Sequence, residues 1–287
     1  MNIPIESLSL IMLNVGFARH HADWNWQGVS SPFTRLFLVT DGEAKVYLPD
    51  KAVTLLPGHA YMVPAYVTHS YECRGDFALY YLHVYEEFKN EASLLDAYDF
   101  PTEIEIDELD RMAFASICHT FEGAALPSSD PQSYDNTESV ADSMERYHKL
   151  PLHDKILLRG FALSLFSRFV RYAQPRVWTE DERIIRVVSH INEHIAEAIT
   201  LDELASIACI TKSYLIRLFT HAMGMSPVRF INRKRMEHAQ LMLLTEKISV
   251  KEMAYRLGFS DHSYFTRLFR QCVGISPQEY RKRNGRN

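Results

Sequence analysis

The sequence predicts an α+β chain of two domains. A small antiparallel β-barrel or double-stranded jelly roll with helices after it would be followed by an all-α double helix-turn-helix. Three observations carry this reading. Residues 8–85 alternate short apolar runs with turn dipeptides, and the last third repeats itself at an offset of 50 residues. Charge also divides between the two parts: residues 1–178 hold 14 Lys and Arg against 24 Asp and Glu, and residues 211–287 hold 15 against 5. The overall net charge of −5 therefore hides an acidic module and a basic one. A basic module joined to an acidic one suits a polyanionic partner.

Composition removes several classes. Apolar residues at 47% and charged residues at 23% fit a folded globular chain. They exclude a disordered chain, a collagen-like chain and a disulfide framework. No stretch approaches the ~18 apolar residues of a membrane span. Residues 8–15 follow Glu6 with no basic flank, so they read as a first strand and not as a signal peptide. Cys73, Cys118, Cys209 and Cys272 lie far apart with no metal-ligand spacing, as free thiols in a reducing cytoplasm would.

Seven strands follow from the apolar runs: 8–15, 35–40, 44–48, 52–55, 60–63, 69–73 and 77–84. Asp41-Gly42, Pro49-Asp50 and Pro57-Gly58 supply turns between them. Residues 107–121 read as a helix and 122–136, rich in Gly, Ser, Pro and Asp, as a loop. Helices at 137–148 and 152–173 come next, broken at Pro151. In the second, Ile156, Leu157, Phe161, Leu165, Phe169 and Tyr172 follow helical spacing. Such a stripe packs on the barrel or pairs with a second copy. Residues 174–178 form a short linker, and Thr179 with Glu182 reads as a capping box opening the first helix of the basic domain.

The repeat aligns SYLIRLFTHAMGMSP at 213–227 with SYFTRLFRQCVGISP at 263–277, identical at eight of fifteen positions. Upstream, Thr200 with Glu203 and Ser249 with Glu252 have capping-box spacing, each opening a short helix. These helices break at Cys209-Ile210 and Gly258-Phe259, and second helices start near Lys212 and Asp261. Each second helix ends near a glycine, Gly224 or Gly274, and Ser-Pro then starts another helix. Leu215, Leu218 and Phe219 make an apolar stripe in one unit, and Phe265, Leu268 and Phe269 make it in the other. The opposite faces carry small polar and guanidinium groups, which suit base edges and phosphates. A helical scaffold that is merely soluble would leave those faces unexplained.

Residues 183–285 resemble the DNA-binding domain of the AraC/XylS family of bacterial transcription regulators. The resemblance rests on Ala254–Arg270 and on Gly274–Tyr280. It departs at Cys209-Ile210, where the second unit has Gly258-Phe259. It implies two recognition helices in successive major-groove faces, ~34 Å apart, joined by a helix over about 227–244. By position, Lys212, Ser213, Ile216, Arg217 and Thr220 would face DNA from the first unit. His262, Ser263, Thr266, Arg267 and Arg270 would do so from the second. The short helices starting at Thr200 and Ser249 would present N-terminal amides to phosphates. Pro57-Gly58, Pro64 and His69 resemble the cupin-type sensor domain that often precedes this domain. The domains would be 1–121, an effector sensor; 122–178, a helical dimerisation segment and linker; and 179–287, which binds DNA.

Cupins often hold a metal through a His-x-His pair, which is absent here, since His20 and His21 are adjacent. No metal, cofactor or catalytic acid–base pair is expected, which argues against a barrel enzyme. Strand alternation gives effector candidates: Trp24, Trp26, Arg35, His69, Tyr81 and His83, with a carbohydrate as one guess from the Trp, Tyr, His and Arg content. Expected partners are double-stranded operator DNA, a small-molecule effector, a second copy of the chain and RNA polymerase, with no membrane.

Overall fold

A computed structural model describes residues 5, 8–87, 94–135, 137–175, 181–246 and 248–284. The chain packs as two compact units. One holds residues 9–87 and 100–174; the other holds the described residues from 175 onward together with 94–99.

The first unit opens with seven strands: β1 (Ser9–His21), β2 (Thr34–Gly42), β3 (Ala44–Tyr47), β4 (Ala52–Leu55), β5 (His59–Val63), β6 (Ser70–Glu72) and β7 (Asp76–Glu87). Along the chain there follow α1 (Leu94–Ala97) and β8 (Tyr98–Asp99), which belong to the other unit, and then β9 (Glu103–Glu105), α2 (Glu108–Thr120), α3 (Pro131–Tyr134), α4 (Thr137–Lys149), α5 (Leu152–Val170) and, where this unit ends, β10 (Gln174–Pro175). The ladder does not close into a barrel among the described residues. A five-stranded sheet runs β1-β7-β2-β5-β9 and a three-stranded sheet runs β4-β3-β6. The chain passes from one sheet to the other at Gly42, whose φ of 68° ends the pairing of β2. Phe37, Tyr61, Phe77 and Tyr81 of the larger sheet share one core with Val46, Leu55 and Tyr71 of the smaller. Strand alternation thus puts an apolar face of each sheet against the other. Helices α2, α4 and α5 pack on β1, and α2 also on β7.

Two features of this unit differ from the sequence reading. Residues 103–105 form a strand that pairs with β5, burying Ile104 between two exposed glutamates. Residues 122–135, read as loop, contain a 3₁₀ turn at Glu122–Ala124 and the short α3.

The second unit continues with α6 (Glu182–Glu193), α7 (Leu201–Ile207), α8 (Lys212–Met223), α9 (Pro227–Thr245), α10 (Val250–Arg256), α11 (His262–Val273) and α12 (Pro277–Asn284). Helix α6 buries Ile184, Val187, Val188 and Ile191, one face at helical spacing, against α7, α8 and the start of α9. Phe265, Phe269 and Tyr280 form the ring contacts of the second half. Thr200 and Glu203 make the reciprocal capping box. At Ser249 only the serine half forms: its hydroxyl accepts from the Glu252 amide at 3.0 Å, while the Glu252 carboxylate pairs with Arg256 four residues on. The start of α6 is capped by Asp181, and Thr179 lies outside the described residues.

Candidate functional site

Each unit carries one candidate site. In the helical unit, α8 starts after Thr211, whose hydroxyl accepts from the Tyr214 amide at 3.4 Å. Helix α11 starts after Asp261, whose carboxylate accepts from the Ser263 amide at 2.8 Å. The two helices repeat the same order of buried and exposed positions over 211–220 and 261–270. Leu215, Phe219, Phe265 and Phe269 point inward. Lys212, Ser213, Arg217 and Thr220 are exposed and Ile216 is half-buried. His262, Ser263, Arg267 and Arg270 are exposed and Thr266 is half-buried.

Some of these groups are already engaged. Arg217 lies 5.6 Å from the centre of the Tyr214 ring, and Arg267 lies 5.6 Å from that of Tyr264. A guanidinium held over a ring three residues earlier keeps its N–H fork outward and loses less freedom on contact. Lys212 pairs with Asp202 at 2.7 Å, so a phosphate must compete for it. The Thr266 hydroxyl donates to the His262 carbonyl at 2.9 Å and presents its lone pairs. The amino ends of α7 and α10 hold acidic residues, Asp202, Glu203 and Glu252. Of these, the Glu203 carboxylate accepts from the Thr200 amide at the positive end of α7.

The turn before each recognition helix explains the departure noted in the sequence. Cys209 adopts φ 54° and Gly258 φ 73°. The Ile210 amide donates to the Ala205 carbonyl at 3.0 Å, and the Phe259 amide to the Ala254 carbonyl at 2.9 Å. A non-glycine residue, Cys209, thus makes the same left-handed turn in the first helix-turn-helix, at the cost of backbone strain. Buried Arg235 of α9 braces this region. Its Nε donates to the Ile195 carbonyl at 3.0 Å, its Nη2 donates to the Glu197 carbonyl, and its guanidinium lies 5.1 Å from the Phe259 ring centre.

The sheet unit contains a cavity of about 110 Å³ between the sheets and the 122–135 segment. Trp24, Tyr81 and His83 line it, as alternation on β7 indicates for the last two. Tyr81 lies over β1 because Gly16, its register partner, has no side chain; a Cβ there would meet the tyrosine hydroxyl at 2.3 Å. Trp24 stacks on Tyr71 at 4.0 Å. Trp26 is half-buried against the core and does not line this cavity.

Arg35 and His69 lie behind the lining. Arg35 is 1% exposed and pairs with Asp135 at 2.6 Å, with Ser31 bonded to both. Burial disfavours the Arg35 cation, but Asp135 together with Tyr71 and Tyr134 outweighs it and keeps the guanidinium charged. Burial pushes the Asp135 carboxyl up, and Arg35 and Ser31 pull it back. His69 donates from Nδ1 to the Val67 carbonyl and accepts at Nε2 from the Tyr71 hydroxyl, both at 2.7 Å. Burial first, then Arg35, lowers its pKa to about 3, so it is neutral. His83, also fully buried, is held well below its ordinary range by burial and by Arg35 and His69. Its Nδ1 has no partner among the described residues.

Sequence reading did not find the other wall of the cavity. Leu126, Ser128, Ser129 and Tyr134 complete it, and the Leu126 amide donates to the Tyr81 hydroxyl at 2.8 Å. Their only local signal is a Ser/Pro/Asp-rich stretch, which says loop and nothing about where the loop lies.

Comparison with known proteins agrees with this geometry. Residues 204–283 match the family described as a helix-turn-helix domain. The chain is 20% identical to the "Probable transcriptional regulator LumQ" of Photobacterium leiognathi, over 98% of each. It is 30% identical to the arabinose operon regulatory protein of Escherichia coli over 35% of each chain, so it spans only about a third of that relative. The fold matches that of ToxT from Vibrio cholerae, solved with an unsaturated fatty acid bound, over 99% of this chain and 98% of that one. The TM-score is 0.53 and the identity 14%. Residues 204–283 are therefore a helix-turn-helix domain similar to those of transcriptional regulators.

Proposed function

We propose that the chain is an effector-responsive homodimer whose α8 and α11 read two successive major-groove segments of an operator. Lys212, Ser213, Ile216, Arg217 and Thr220 meet one segment, and His262, Ser263, Thr266, Arg267 and Arg270 the other. The observation that carries this reading is the identical exposure pattern of the two helices, each with an arginine stacked on a tyrosine. Residues 1–121 act as the sensor, 122–178 as dimerisation segment and linker, and 179–287 as the DNA reader. The sensor is of the cupin type, with its strands kept in two sheets around a small-molecule cavity. ToxT is solved with a fatty acid, and the arabinose regulator is named for a sugar operon. Small-molecule control is the reading those relatives support.

Dimerisation falls to the outer face of α5 within 122–178, and the exposed face of α2 in the sensor extends it. Leu109 is 71% and Ile156 63% exposed, with Met112 and Leu157 beside them in sequence order on the same two helices. Leu165 and Phe169, from the same α5 stripe, are buried. The protein works in the cytoplasm and has RNA polymerase as a further partner. Among the described residues, no helix is long and apolar enough to cross a membrane.

The test is selection of bound DNA from a random pool by the full chain at ~150 mM salt, where non-specific binding is weak. A bipartite motif, present twice, supports the regulator and its dimer together. A single motif would support the reader and count against the dimer. Affinity that is flat between low and physiological salt would count against the basic faces as the DNA surface.

A further inference from the structure

We infer that the sensor cavity takes a small, uncharged, flat ring bearing one hydrogen-bonding group, a ligand of the phenol class. This rests on the effector reading above and names the chemistry of its ligand.

Size comes first. The cavity holds about 110 Å³. Ligand pockets for larger molecules run from ~300 Å³, whereas an apolar cavity of ~150 Å³ admits benzene. One ring is what this space accommodates.

The walls set the shape and polarity. Eight aromatic side chains line it, among them Trp24, Phe37, Tyr71, Tyr81, His83 and Tyr134. Planar walls favour a planar guest, through offset or edge contacts. Among the described residues, no Lys, Arg, Asp or Glu lines the cavity. Arg35, behind the lining, is engaged by Asp135 and Ser31. His20 is lowered by burial, against the pull of Asp23, and His83 is neutral. An anion would lose its water here and find no free counter-charge.

Polar capacity then separates a phenol from a sugar. A sugar needs several hydrogen-bond partners at once. Here the Tyr81 and Ser128 hydroxyls already accept from the Leu126 and Asp130 amides, and the Tyr71 hydroxyl already donates to His69, so each offers a guest only part of its capacity. Among the described residues of this lining, His83 Nδ1 is the buried side-chain atom without a partner; the imidazole is 1% exposed and makes ring contacts to Phe33 and Tyr134. An unpaired buried nitrogen is costly. A single hydroxyl on a ring-sized guest would satisfy the imidazole.

Calorimetric titration of the full chain with phenol, toluene, benzoate and glucose tests this. Phenol should bind saturably, and toluene about tenfold more weakly for want of one hydrogen bond. Benzoate and glucose should bind more weakly still. His83→Phe should erase the preference for phenol over toluene. Ala18→Leu, which fills the cavity from a half-exposed strand position, should abolish phenol binding. Benzoate binding as tightly as phenol, or phenol binding untouched by Ala18→Leu, overturns the inference. Binding of glucose alone overturns the ligand class and leaves the effector reading standing. No binding by any of the four overturns the class assigned to this cavity. The DNA selection stands or falls independently.

Discussion

Replacing Gly258 with alanine measures how far the second helix-turn-helix depends on one backbone position. Gly258 sits at φ 73°. Alanine in the left-handed region costs ~1–2 kcal/mol, offset by ~0.4–1 kcal/mol from a less flexible unfolded chain. Space decides the rest. A Cβ at 258 would lie 2.6 Å from the Glu197 carbonyl oxygen and 2.7 Å from Arg235 Nη2. Both are closer than a real Cβ tolerates, so the backbone at 197 or 258 must shift and the guanidinium must part from the carbonyl it donates to. Losing a hydrogen bond to a buried charged group adds ~1.5–3 kcal/mol. The net loss is about 2–4 kcal/mol, the sum of those contributions. Gly274→Ala is the control: φ is 88°, but nothing lies within 4 Å of the added carbon. It should cost about 1 kcal/mol or less, from strain alone. Urea unfolding followed by helical circular dichroism gives both values. Equal losses at 258 and 274 would refute the Arg235 brace. In the first unit, Cys209→Gly should gain ~0.5–1 kcal/mol, because there the strained residue is already in place.

Asp135→Asn leaves Arg35 charged and buried without its counter-ion, and should cost ~3–5 kcal/mol in the sheet unit. A loss no larger than that of a surface substitution would show that the pair is not buried in solution. Acid should destabilise the same unit. His69 folds with a pKa of about 3 against an ordinary 6.5, so below pH 6.5 the unfolded chain takes up a proton that the folded one refuses. Its contribution is complete above pH 6.5, has lost about 2 kcal/mol by pH 5, and keeps falling toward the folded value. His83 adds a loss of the same sign. The unfolding temperature should therefore fall between pH 7.5 and 5, and by less in His69→Gln; a flat profile would contradict the burial of both rings. Ile156→Asp, on the exposed face of α5, should turn a dimer into a monomer by light scattering while thermal stability holds. An unchanged mass would move the dimer contact elsewhere.

Local patterns made most elements readable. Apolar runs bounded by Pro-Gly and Asp-Gly located β1 to β7, and the 50-residue repeat located α8 and α11. Relations between distant segments were not readable. Arg35 stands a hundred residues from Asp135, and no periodicity links them. Arg35 therefore looked available to a ligand, when it is the internal anchor of the segment that covers the cavity. The strand around Ile104 is three residues long and carries two glutamates, too little for an apolar signal. Whether strands close into a barrel depends on one break in pairing at Gly42, which a turn dipeptide marks but does not resolve. The recognition faces were the easiest part to read, because two copies of one pattern constrain each other.

Arg217→Ala and Arg267→Ala, each measured against the selected operator and its single-base variants, test the central claim most directly. Each variant should lose ~1–3 kcal/mol of affinity and relax base preference at one block only, with the two blocks about one helical turn apart. Losses that are uniform over all sequences, or that fall on the same block for both variants, would contradict the assignment of α8 and α11 as two separate readers of DNA.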